Sequence, residues 1–233
     1  MSKIFSPRIL LIIAVFTCTS AHTLFAQQTY SSGVLPLIGL TTKITDQWRV
    51  TLRLESRQQL ISGFFGSGFT GNYSNVLTDF LVIPTRKVGV SGTAGAGYML
   101  RTRNGLIYHR AIQQYSVASS IRSLLFYHRI SADQTFSAVE NTEYRLRYRL
   151  GTELPFSGLS IDDREFYWKI TNEVLQKLQN SAYDLENRFV AVTGYQFSDR
   201  HRLEYGLDYR IGAILSPNTK HTFWWQLNWQ ISL

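Results

Sequence analysis

Residues 143–150, EYRLRYRL, set Glu143, Arg145, Arg147 and Arg149 on a two-residue beat against Tyr144, Leu146, Tyr148 and Leu150. Ionised side chains grouped on one face can form ion pairs, draw anions or line a wet passage, but they do not stay unpaired in an apolar medium. The chemistry on offer is therefore electrostatic. The same face recurs at 201–212, where Arg202, Glu204, Asp208 and Arg210 alternate with Leu203, Tyr205, Leu207, Tyr209 and Ile211. In 165–174, Glu165, Lys169 and Glu173 oppose Phe166, Trp168, Ile170 and Val174. Arg129, Glu143, Arg145, Arg147, Arg149, Glu173, Arg188, Arg202, Glu204, Asp208 and Arg210 are read as a lattice of charge that is either structural or an ion path.

Nucleophilic and metal chemistry find weaker support. His109, His128, His201 and His221 lie beyond the first 26 residues, and serines stand near two of them, Ser131 beside His128 and Ser116 after His109. Nearness in sequence does not orient a nucleophile and a base, and no catalytic residue is assigned. His128 shares parity with Phe126 and Ile130, which places it on an apolar face. His201 and His221 would approach each other only if the last two strands bring them to one end, and two histidines are short of a zinc set. The adjacent Asp162 and Asp163 read as a solvated turn. No cofactor and no metal is expected.

A helix would spread the alternation around its circumference, whereas a strand separates it into two faces. The segment 48–55 repeats it, with Trp48, Val50, Leu52 and Leu54 against Arg49, Thr51, Arg53 and Glu55. The end of the chain, 223–233, does so with Phe223, Trp225, Leu227, Trp229, Ile231 and Leu233. Further strands are read at 33–43, 76–84, 88–99, 107–118, 123–134 and 185–197. The glycines of GTAGAGY (92–98) lack the lysine and following helix of a phosphate loop and are read as strand glycines that leave room for large neighbours.

The first 26 residues read differently. Lys3 and Arg8 precede the apolar run ILLIIAVF, and small residues follow up to Ala26, the pattern of a cleaved secretory signal with Ala21 as an alternative cleavage point. The single cysteine, Cys18, falls inside this leader, so the exported chain has no disulfide to hold it. The formal charge of the 233-residue chain is +8, about +6 without the leader, but it is dispersed among acids, and no nucleic-acid partner is expected.

Apolar–polar runs of 8–12 residues, longer than ordinary soluble strands, match the ~9–11 residues that cross a bilayer as a β-strand. The expectation is an all-β fold: a single antiparallel transmembrane β-barrel over residues 27–233. Eleven segments are counted. Because bacterial barrels have even strand numbers, 10–12 strands are expected and twelve is favoured. Short turns at 45–47, 85–87, 119–120 and 198–200 are assigned to the periplasm. The longer breaks at 61–74, 101–105, 135–141, 178–184 and 215–220 are assigned to the outside, with 154–162 as the exception.

The stretches YHRISADQTF (127–136), ENTEYRLRYRL (140–150) and LENRFVAVTGYQFSDRHRLEYGLDYR (185–210), with a closing strand bearing His221, resemble a family of bacterial outer-membrane β-barrels catalogued as DUF2490. The resemblance aligns Arg129, then Glu143 with Arg145, Arg147 and Arg149, then Glu173, Asn187 with Arg188, and Glu204 with Gly206 and Tyr209. It implies the fold and the bacterial outer membrane, and it brings no activity. The functional expectation is a non-enzymatic barrel, structural or a narrow passive channel, whose partners are outer-membrane lipid and the barrel assembly machinery. The alternatives are a barrel enzyme acting on lipid or envelope substrates and a soluble periplasmic ligand-binding barrel.

Overall fold

The computed structural model describes residues 28–121 and 124–233; the leader and Cys18 lie outside them. Eleven strands follow one another: β1 (Thr29–Lys43), β2 (Trp48–Phe64), β3 (Phe69–Val88), β4 (Gly92–Arg103), β5 (Leu106–Ile121), β6 (Leu124–Phe136), β7 (Glu143–Pro155), β8 (Glu165–Gln179), β9 (Ala182–Ser198), β10 (His201–Gly212) and β11 (Lys220–Ser232). Each pairs with its sequence neighbour in antiparallel fashion, and β1 closes on β11.

Among the described residues the count is eleven, not the favoured twelve. Neighbouring strands run in opposite directions, so an odd number leaves the first and last running the same way and the closing ladder must be parallel. It is, from Thr29 opposite Lys220 to Thr41 opposite Ser232. Segment 33–43 lies within β1, a full wall strand of 15 residues. An odd count also puts the start of β1 and the end of β11 at opposite rims, here called the first and second rim.

Two-residue alternation sorts the wall as the sequence implies, because successive side chains of a strand point to opposite faces. Glu173 and Glu204 are each 1% exposed inside, whereas Leu146 and Trp168, on the outer face, are 50% and 53% exposed. The outer polar groups of β5–β9 bond to one another: Gln113 with Gln134 at 3.2 Å and Asn172 with Asn187 at 3.0 Å.

Turn lengths only partly follow expectation. Segments 101–105 and 178–184 are mostly strand, joined by the two-residue turns Asn104-Gly105 and Asn180-Ser181. All four turn residues have positive φ, between 51° and 76°, as type I′ hairpins require. The region 61–74 is also strand, with only residues 65–68 between β2 and β3. Before Thr78, β3 pairs with β2 alone, so this ribbon stands past the edge of β4 at the first rim. The longest connection, 156–164, is at the second rim.

The lumen is not uniformly polar. Leu35, Leu37 and Trp224 form a buried apolar sector on the β1–β11 seam, and Leu81, Ile83, Met99 and Ile112 form another on β3–β5. Glycine makes room for bulk at Gly97 and at Gly194. A Cβ on Gly97 would lie 2.7 Å from Cβ of Ile83, and one on Gly194 would lie 2.2 Å from Cζ of Tyr167, a side chain with no exposure at all.

Candidate functional site: a lumen pinched by arginines

β7 is the richest source of charge, and its partners are the acids of β6 and β8. Arg145 and Arg147 converge on Asp133 at 3.0 and 2.7 Å, and Arg145 Nε also lies 3.5 Å from Glu143. On the other side, Glu173 accepts from Arg149 at 2.8 Å and from Arg188 at 3.3 Å, with Arg129 at 3.7 Å. Arg188 also pairs with Glu186 at 2.5 Å. Strict alternation brings all of them to the inside, and neighbouring-strand register puts unlike charges side by side.

Nearer the second rim the partners change. Glu204 takes hydrogen bonds from Lys169 Nζ at 2.9 Å, Tyr167 Oη at 2.9 Å and Asn228 Nδ2 at 2.7 Å. Arg202 turns to Glu153, 3.4 Å away, and stands over the Tyr167 ring. Asp208 pairs with Arg210 on its own strand through two bonds of 3.0 and 2.6 Å. Every residue of the expected lattice therefore lines the lumen and has an oppositely charged neighbour.

Sequence reasoning missed several participants. Glu55 with Arg57 (2.6 Å) and Asp79 with Arg101 (2.5 Å) continue the lattice across β2–β4. Carrying the 48–55 beat two residues further would have reached Arg57. Asp79, Arg101 and Arg110 were hidden because their lumen faces mix charge with Leu77, Leu81, Met99, Tyr108 and Ile112, so no polar alternation marks them.

The lumen holds two cavities, about 550 Å³ toward the first rim and about 330 Å³ toward the second. The residues that line both are Arg57, Arg101, Arg110, Arg145, Arg188 and Arg210, and no others. Six guanidinium groups from six strands thus form the boundary between the two spaces. The smaller cavity is lined by eleven cationic residues against four acids.

A latch sits over the larger cavity. Arg103 and Tyr108 both donate to Glu140 Oε1, at 2.6 and 2.7 Å, from the strands to the 137–142 loop. The Tyr108 hydrogen bond, aided by the Arg103 charge, holds the Glu140 carboxyl below its ordinary value.

The histidines do not form the pairs considered from sequence. Ser131 is buried inside whereas His128 faces outward, where its Nε2 meets Ser119 Oγ at 2.9 Å and its Nδ1 meets Tyr148 Oη at 2.8 Å. The tyrosine–histidine pairing recurs as Tyr98–His109 and Tyr209–His221, neither with a serine, which marks it as a cross-strand element of the outer wall. His201 and His221 lie at opposite rims, since His201 is opposite Ile231, ten residues along β11 from His221. Among the described residues no group of three or more metal-ligating side chains occurs.

The family model described as "Protein of unknown function (DUF2490)" matches residues 33–221. The chain belongs to the DUF2490 family. The match runs from β1 to the start of β11 and takes in all six boundary arginines, so the charged lumen lies wholly within the DUF2490 region. Comparison with curated proteins gave no match, and comparison with solved structures gave none.

Proposed function

We propose that this chain is a bacterial outer-membrane β-barrel whose narrow lumen passes small anions passively. One observation carries the reading: two charged cavities inside an outwardly apolar wall meet at a boundary made of arginines alone. Eight-stranded barrels are largely filled by side chains and wide aqueous pores need about 16 strands; eleven strands fall between, in the range of a narrow passage.

The membrane setting is supported by the outer face. Tyr144, Tyr183, Tyr209 and Phe223 lie toward the first rim, and Trp48, Phe166, Trp168 and Trp229 toward the second, where aromatic rings suit the two lipid–water interfaces. In this reading residues 1–26 are a cleaved export signal, lipid covers the outer wall, and the apolar alternating β11 is the segment the barrel assembly machinery engages. The first rim, with the β2–β3 ribbon and the 137–142 and 213–219 loops, faces outward, and the second rim faces the periplasm.

Fractionation followed by bilayer recording tests this. The protein is expected in the outer-membrane fraction, to migrate faster unheated than boiled, and to give small conductance steps in KCl. Release with the soluble periplasm would contradict the location. A folded, heat-modifiable barrel that never conducts would contradict the channel.

A further inference from the structure

Five of the six boundary arginines are paired with a carboxylate. Arg57 has Glu55, Arg101 has Asp79, Arg145 has Asp133, Arg188 has Glu186 and Arg210 has Asp208, all within 3.0 Å. Arg110 is the exception. It is 4% exposed, its Nε donates to Thr135 Oγ1 at 2.8 Å, and its Nη1 points to Met99 Sδ at 3.5 Å. Among the described residues no carboxylate comes within ion-pairing distance of it.

A guanidinium does not lose its proton in a protein, and a thioether is a weak acceptor, so this charge is buried without a counter-charge. Its surroundings do not relieve it. Asp79 is held by Arg101 through both oxygens, at 2.6 and 2.5 Å, and Asp133 is shared by Arg145 and Arg147. By strand register Arg110 is level with Met99 on β4, Thr135 on β6 and Glu143 on β7, while Arg101 and Arg145 stand two residues to either side of that level on the lumen face. Arg110 nevertheless lines both cavities.

We infer that Arg110 anchors a binding site for a phosphate-type oxyanion, free hydrogen phosphate or the monoester of a small solute, at the boundary between the two cavities. The class follows from the donors. A guanidinium offers a planar fork that takes two oxygens of one anion, and a second cation on either side favours a double negative charge over a single one. The 550 Å³ cavity on the first-rim side leaves room for a small organic group attached to the phosphate. The site rests on the reading of the lumen as an anion path, but binding does not require conduction.

Calorimetric titration of the folded barrel in detergent, at constant ionic strength, tests the inference. Inorganic phosphate and glycerol phosphate serve as probes, and acetate and chloride as controls. Saturable phosphate binding that is at least about tenfold weaker in Arg110→Met is expected, with acetate and chloride giving no saturable heat. Arg110→Lys, which keeps the charge and loses the fork, should also bind more weakly, and it serves if the methionine variant fails to fold. Tighter binding of glycerol phosphate than of phosphate assigns the site to a monoester; the reverse assigns it to the free anion. No saturable phosphate binding by the wild-type barrel, or equal affinity in wild type and a folded Arg110 variant, overturns the inference. Conductance recorded on the same preparations separates the readings: phosphate binding without conductance removes the channel and leaves the site, and conductance without phosphate binding removes the site alone.

Discussion

Glu173 and Arg110 face one lumen from β8 and β5, and both are almost sealed from solvent, at 1% and 4% exposure. Their neighbours are opposite in number. Glu173 lies within 4 Å of three arginines, Arg129, Arg149 and Arg188, whereas Arg110 has a hydroxyl and a sulfur. An acid with several cations ties four strands, β6 to β9, together and leaves no vacancy for a solute anion. A cation with no acid contributes little to closure and keeps its charge available. The lattice around Glu173 thus joins neighbouring strands through paired charge, whereas the boundary at Arg110 holds a cation without an acid.

The largest expected effect comes from breaking the first of these. Glu173→Gln leaves the three guanidiniums without their shared counter-charge and should lower stability by about 3–5 kcal/mol, the range for removing one partner of a buried ion pair. Denaturant titration of the folded barrel measures it; an unchanged midpoint would mean that the hub does not hold β6–β9 together.

Next comes packing on the same strand, which asks whether charge alone fixes β8. Gly194→Ala puts a methyl group 2.2 Å from Cζ of the buried Tyr167, whose hydroxyl donates to Glu204 at 2.9 Å. Overpacking of this kind costs about 1–3 kcal/mol. In a Tyr167→Ala background the same substitution should cost much less, and an equal loss in both backgrounds would rule out the contact as its cause.

Arg110→Met should change stability by no more than about 1 kcal/mol, or raise it, because an apolar chain of similar length replaces a buried cation that has no partner. A loss as large as that of Glu173→Gln would erase the contrast between the two regions.

The smallest effect is at the latch over the same cavity. The Glu140 carboxyl titrates below its ordinary 4.5 in the folded chain, so its contribution is complete above that value and is lost as pH falls through the depressed one. Proteolysis of the 137–142 loop should therefore stay constant from neutral pH to about 4.5 and rise only below it. An increase between pH 7 and 5 would show that another group controls the loop.

The sequence made the inner wall of β7 and β10 readable because their charges alternate without interruption, and His201–Gly212 is strand β10 residue for residue. The twelfth strand was a wrong expectation drawn from the even-number rule; nothing in a two-residue period encodes the parity of the count, which the parallel β1–β11 ladder decides. The β2–β3 ribbon was read as a loop because its glycines and serines hide a long hairpin. Arg110 was illegible for a different reason. It shares its lumen face with Tyr108 and Ile112, and its isolation from acids depends on strands far away in the chain.

The most direct test of an anion path through an arginine boundary is the reversal potential of the reconstituted barrel across a KCl gradient. Chloride-preferring currents, with the preference reduced in Arg110→Met, are predicted. Cation-preferring currents would contradict it.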